Sequence, residues 1–175
     1  MRKIAIAALS VMMLACLAAV TLAQGNPRGK STITLKGKAV SVEYGRPSLK
    51  GRTTDALLGR LQPGGLWRLG ADTSTTFKTD GDLTFGDVTI PAGEYSIWMQ
   101  RQADNSWKLL FDKKHGQWGE PTPDPADCFA SVPLKESKPA ASVESVTITL
   151  SLRKAGGGAT IKIQWGTLEV AADFK

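Results

Sequence analysis

Between Ser145 and Leu152 the chain alternates with a period of two: Val146, Ile148, Leu150 and Leu152 are apolar, while Ser145, Thr147, Thr149 and Ser151 carry hydroxyls. Successive side chains of a pleated strand point to opposite faces, so this rhythm, rich in β-branched residues, requires a strand buried on one side. Ala155-Gly156-Gly157-Gly158 then supplies residues that accept positive φ, and alternation resumes at Ile161, Ile163 and Trp165 against Lys162 and Gln164. Two such runs joined by glycines read as a hairpin. Gly166-Thr167 turns the chain again into Leu168, Val170, Ala172 and Phe174, which predicts a three-stranded meander over residues 145–174.

The rest of the chain repeats this logic in shorter units. Tyr95, Ile97 and Met99 alternate within 94–101, Asp104-Asn105 marks a turn, and Trp107, Leu109 and Phe111 share a face of the next strand. Short strands are expected at 75–78, 83–85 and 88–90, separated by Asp80-Gly81 and Gly86-Asp87, and a further pair at 32–35 and 39–44 around Lys36-Gly37-Lys38. Only residues 54–61 look helical, with Thr54 placed to cap Asp55-Ala56-Leu57-Leu58 and Pro63-Gly64-Gly65 placed to stop it. The longest irregular stretch, 119–141, carries Pro121, Pro123, Pro125, Pro133 and Pro139. It is expected to cross between sheets, with Cys128–Leu134 as an edge strand, where proline is tolerated. About nine or ten short strands with frequent turn signals, and no long helix to cover a parallel sheet, place the chain in the all-β class. The architecture expected is an antiparallel β-sandwich, jelly-roll-like or barrel-like, with one short helix near residues 54–61.

The opening residues have a different character. Met1-Arg2-Lys3 forms a short positive region, residues 4–22 carry no charge, and Thr21-Leu22-Ala23 offers small residues for cleavage before Gln24. This is the anatomy of an export signal. Residues 1–23 are therefore read as a signal peptide, 24–31 as a flexible mature N-terminus and 32–175 as one β-sandwich domain. The protein is expected to be periplasmic or secreted, with no transmembrane segment left after cleavage. Met13-Leu14-Ala15-Cys16 supports an alternative, a lipoprotein anchored at Cys16, and the uncharged stretch is also long enough to span a bilayer if it is not cut. Beyond the leader Cys128 is the only cysteine, so no internal disulfide can form there, and it is read as a buried thiol acting as a small hydrophobe.

Several chemistries are excluded by composition. His115 is the only histidine, which rules out zinc held by histidine pairs, and no Gly-x-Ser-x-Gly elbow exists for a serine hydrolase. Asp80, Asp82 and Asp87 lack the full calcium-loop pattern and serve equally well as turn residues. A Cys128–His115 dyad is formally open against an inert thiol and a solvent-facing histidine. No metal and no cofactor is called for.

Charge is unevenly spread. Residues 24–60 hold eight Lys and Arg against two acids, Glu43 and Asp55. Within that part, Tyr44-Gly45-Arg46-Pro47-Ser48-Leu49-Lys50-Gly51-Arg52 leaves a strand with three cations on a Gly/Pro-stiffened loop. Guanidinium groups match the paired oxygens of carboxylates, phosphates and sulfates, although a solvated loop whose arginines pair locally would look the same. Leu66-Trp67-Arg68-Leu69-Gly70-Ala71-Asp72 and Gly116-Gln117-Trp118-Gly119 present tryptophans that either face a ligand or close the core.

These segments, together with Thr75-Thr76-Phe77 and Pro91-Ala92-Gly93-Glu94-Tyr95-Ser96, occur in an order that resembles the bacterial domain-of-unknown-function family 2911 over residues 30–174. The resemblance implies an exported domain of this extent and no particular activity. Two departures stand out: Leu69, where family members usually have Thr, and the proline-rich run from Pro121, where an aromatic often follows.

The function expected is non-catalytic binding of an anionic small molecule, a glycan or an envelope protein, by a face drawn from Tyr44, Arg46, Lys50, Arg52, Trp67, Arg68, Asp72 and Trp118. Export takes nucleic acid off the list of partners. Two other readings stay open: a hydrolase of glycans or esters working through carboxylates such as Asp72 or Asp112, and a structural or adhesive envelope module.

Overall fold

Strand β1 (Arg28–Leu35) pairs along its whole length with β2 (Lys38–Gly45), and Lys36 and Gly37 between them adopt φ of 51° and 81° to close the turn. The computed structural model describes residues 25–175, so the signal and Cys16 lie outside the described residues. Strand β1 begins at Arg28, ahead of the alternation that starts at Thr32. Helix α1 (Thr54–Leu58) follows, then β3 (Leu66–Trp67), β4 (Thr76–Thr79), β5 (Leu83–Phe85), β6 (Val88–Ile90), β7 (Gly93–Arg101) and β8 (Trp107–Asp112). A 3-10 turn at Pro125–Asp127 leads to β9 (Ala130–Ser137), and β10 (Val143–Leu152), β11 (Ala159–Gly166) and β12 (Leu168–Phe174) complete the chain.

All pairings are antiparallel, and the main sheet runs β1-β2-β4-β7-β8-β9-β12-β11-β10, with β3 ahead of β4 on the same edge of β7. The sheet curls until its two ends meet, which makes it a nearly closed barrel; of the two architectures open from the sequence, the barrel-like one is found. Inward-facing alternate residues fill the interior, among them Val42, Phe77, Ile97, Leu109, Phe111, Ile148, Ile163, Val170 and Phe174. The β5–β6 hairpin packs Phe85 against Phe174, ring centroids 4.9 Å apart, while Thr84 exchanges backbone hydrogen bonds with Lys175.

The stretch expected as an edge strand, Cys128–Leu134, enters β9 at Ala130 and pairs there with β8 alone, its other side open, while the strand runs on to Ser137 and pairs with β12 at Lys135–Ser137. Pro133 is accommodated because β12 pairs only with Lys135–Ser137, so the missing N–H falls where no neighbour needs it. The stretch 119–141 does not cross between sheets: Ala130–Ser137 of it is β9, and the part before that strand continues the segment that leaves β8. That segment, 113–129, folds over the outside of β7 and β8, where Leu66, Trp98 and Leu110 form a second small core with Cys128 against it. Helix α1 is shorter than expected and is capped by Thr53, whose side chain accepts from the Ala56 N–H. Its carbonyl end is held by Arg101, which donates to Leu58, Gly59 and Leu61 at 3.4, 3.2 and 3.1 Å.

The barrel's seam is sealed largely by side chains. Tyr44 Oη donates to the Ile148 carbonyl at 3.2 Å, Arg46 Nε to the Val146 carbonyl at 3.2 Å, and Ser31 Oγ accepts from the Leu150 N–H at 2.9 Å. Beyond Gly45 the backbone takes over: Val146 N–H donates to Pro47 and Leu49 N–H to Glu144. Buried strand-edge groups thus find partners without a continuous ladder.

Candidate functional site

Residues 68–75 interrupt what would otherwise be one strand. Trp67 pairs with Met99 and Thr76 with Ser96 on the same edge of β7, and the chain between them leaves the wall and returns. Two positive-φ residues shape the excursion, Leu69 at 55° and Asp72 at 64°. Leu69 puts its side chain into the core, and its carbonyl accepts from Thr75 Oγ1 at 3.1 Å. Gly45 and Gly70 let the excursion lie against β2: a Cβ on Gly70 would stand 2.8 Å from the Gly45 oxygen, and one on Gly45 would collide with the Ala71 carbonyl.

Asp72 is clamped from the N-terminal segment, its Oδ2 accepting from the Asn26 N–H at 2.7 Å and from Asn26 Nδ2 at 3.3 Å. Arg28 Nη1 donates to the Thr73 carbonyl at 3.2 Å, and its guanidinium lies 3.5 Å from Glu43. From the other side, Ser74 N–H donates to the Gln117 carbonyl and Gly119 N–H to the Asp72 carbonyl, a short antiparallel bridge centred on Thr73 and Trp118. The stem of Arg68 lies across Gly119, where a Cβ would come within 2.7 Å of Arg68 Cδ. Trp118 is left 60% exposed beside it.

A polar layer lies beneath this bridge. Ser96 Oγ accepts from Trp98 Nε1 at 2.9 Å and from Gln117 Nε2 at 3.4 Å. Ser74 Oγ and Gln117 Oε1 are buried and have no partner among the described residues.

The eight residues singled out from the sequence fall into three groups. Tyr44 and Arg46 bind β10 across the seam, Arg46 Nη2 also reaching Thr147 Oγ1 at 3.4 Å. Arg52 donates to the Leu49 and Ser48 carbonyls at 2.8 and 3.2 Å, while Lys50, at φ 51°, has an exposed side chain and a backbone N–H bound to Glu144. Trp67 is buried and stacks on Trp165, centroids 5.3 Å apart at 12°. Arg68, Asp72 and Trp118 are brought together around Gly119, on which the Arg68 stem packs and whose N–H donates to the Asp72 carbonyl, and there Arg68 has no hydrogen-bond or ion-pair partner among the described residues, in contrast to Arg28, Arg46 and Arg52. Asn26, Ser74, Ser96 and Gln117 complete the site; Ser96 and Gln117 stand within motifs visible in the sequence, whereas nothing in the local pattern marks Asn26 as the partner of Asp72.

Apart from Asp72, whose carboxylate is held by Asn26, the groups with nucleophilic or acid–base chemistry stand elsewhere. Burial pushes the Cys128 thiol up to about 11, helped by the negative charges of Asp112, Asp127 and Asp124, so it stays protonated at neutral pH. His115 Nδ1 sits 3.4 Å from Glu94 on the surface, and buried Asp112 accepts from the Lys114 N–H at 3.0 Å. A cleft of about 630 Å³ opens near Ser137, Pro139 and Thr167, and none of the eight residues lines it.

A family model described as "Protein of unknown function (DUF2911)" matches residues 26–174, from the asparagine that clamps Asp72 to the end of β12. Searches of curated proteins and of solved structures return no significant match. The motifs that carry the family resemblance are the ones that pack together here: Gly45 against Gly70, Ser96 under Gln117, Trp118 against Thr73. The chain belongs to the DUF2911 family.

Proposed function

We propose that the domain is exported and binds acidic glycans without catalysis, through the outer-wall face of Trp118 and Arg68. The observation that carries this reading is a largely exposed indole, fixed on the Thr73–Trp118 backbone bridge, with the stem of a guanidinium that has no partner among the described residues packed on the next residue, Gly119. An exposed indole offers a flat apolar surface that matches the C–H face of a pyranose ring, and a neighbouring guanidinium forks onto a sugar carboxylate.

Magnitudes favour a polymer over a single sugar. Covering about 100 Å² of indole is worth about 2.5 kcal/mol, and a hydrogen bond to a charged group adds about 1.5–3 kcal/mol. Against the loss of translational and rotational freedom this gives weak affinity at one site, which repeated epitopes along a chain raise. The leader anatomy supports delivery to a compartment where such polymers are found.

A thermal-shift panel tests the proposal. Oligogalacturonate is expected to raise the melting temperature, and a neutral oligosaccharide of the same length, polyphosphate and an acidic peptide are expected to do so less or not at all. Equal shifts with polyphosphate, or none with any glycan, would contradict it.

A further inference from the structure

A second charged surface lies at the other end of the strands, built from segments far apart in sequence. The β1–β2 turn brings Lys36 beside the β10–β11 turn, where a Cβ on Gly157 would stand 3.9 Å from Lys36 Cε. Lys175 adjoins the same turn, its Cγ 3.3 Å from where a Cβ of Gly158 would be. Arg153 and Lys154 lie within that turn. Of these four cations, only Arg153 has an acidic partner among the described residues, Asp173 at 3.1 Å. Of the other acids at this end, Asp80 and Asp82 flank Gly81, which packs on Lys38, and Asp87 follows Gly86, which shares a cleft with Arg153 and Lys175, so that Lys36 and Lys154 are the cations left away from them. Leu152, the last residue of β10 and the neighbour of Arg153-Lys154, is 56% exposed, one of the few large apolar side chains left in water among the described residues.

From this juxtaposition we infer that the Lys36–Leu152–Lys154–Lys175 end docks on an anionic phospholipid bilayer. Lysines attract the phosphodiester headgroups, and an apolar side chain among them gains by entering the interface, which a soluble anion does not reward. This docking is separate from glycan binding and uses none of its residues.

Cosedimentation of the protein spanning residues 25–175, which holds every described strand, with vesicles tests the inference. Vesicles containing phosphatidylglycerol are expected to retain the protein, pure phosphatidylcholine vesicles are not, and added salt is expected to weaken retention steeply. The double variant Lys36→Gln/Lys154→Gln should lower the partition coefficient about thirtyfold, with an unchanged melting temperature because both side chains are exposed. Leu152→Ser should weaken binding while leaving its salt dependence in place. Trp118→Ala should bind vesicles normally, which separates this surface from the glycan face. Equal retention on neutral vesicles, no loss in the double variant, or release by inorganic phosphate at matched phosphate concentration and ionic strength would overturn it, the last by assigning the surface to a soluble anion.

Discussion

The phenol of Tyr44 on β2 donates a 3.2 Å hydrogen bond to the carbonyl of Ile148 on β10, joining residues 104 positions apart across the seam of the barrel. This contact satisfies a buried carbonyl that the open end of the sheet would otherwise strand. Tyr44→Phe keeps the ring and removes only the donor, so it isolates that role. Leaving a buried acceptor unpaired costs about 1–3 kcal/mol. A urea-unfolding midpoint indistinguishable from wild type would show that the seam does not depend on it.

Gly29 is expected to be as sensitive. A Cβ there would lie 2.7 Å from Tyr44 Cζ and 2.8 Å from Arg46 Cδ, because both side chains cross β1 at this glycine to reach β10. Gly29→Ala should therefore destabilise by about 1–3 kcal/mol through overpacking, despite the higher strand propensity of alanine. Combining it with Tyr44→Phe should give less than the sum, since the two changes disturb one contact.

Asp72 separates conformational from chemical roles. At φ 64° it occupies a region that Asn shares readily and Ala does not, and its Oδ2 accepts from Asn26. Asp72→Asn should retain the fold and most glycan binding, whereas Asp72→Ala should lower the melting temperature. Glycan or ester turnover that vanishes in Asp72→Asn would point instead to a carboxylate hydrolase.

The protein should lose stability in alkali through Cys128. Its thiol is held at about 11 against an ordinary value of 9.0, so above pH 9 the unfolded chain releases a proton that the folded chain keeps. Stability contributed by this group is complete below that point and is lost as pH rises towards 11. Native protein at pH 8 should alkylate slowly with iodoacetamide and rapidly in urea. Cys128→Ala should flatten the alkaline fall in melting temperature, leaving the smaller part due to Tyr95, whose phenol is also raised by burial and by Asp82.

Much of the fold was legible because a pleat writes its period into the sequence, as at Val146, Ile148 and Leu150. The open side at Pro133 was legible because proline is tolerated where no ladder bond is wanted, whereas the continuation of β9 to Ser137 and its pairing with β12 from Lys135 were not. The seam was invisible, since nothing near Tyr44 marks Ile148 as its partner. Whether Arg46 and Arg52 were free or locally held stayed open because the carbonyls that hold them belong to the backbone, which carries no identity in a sequence. Arg68 and Trp118 were both visible as motif residues, but their meeting depends on the excursion at 68–75, whose positive φ at Leu69 no propensity announces.

Isothermal titration of oligogalacturonate into wild type, Arg68→Gln and Trp118→Ala tests the central claim most directly. Measurable binding to wild type is expected, reduced about tenfold or more in Arg68→Gln and abolished in Trp118→Ala, with all three proteins melting at the same temperature. Binding of equal strength in all three proteins, or no heat from wild type, would contradict the claim.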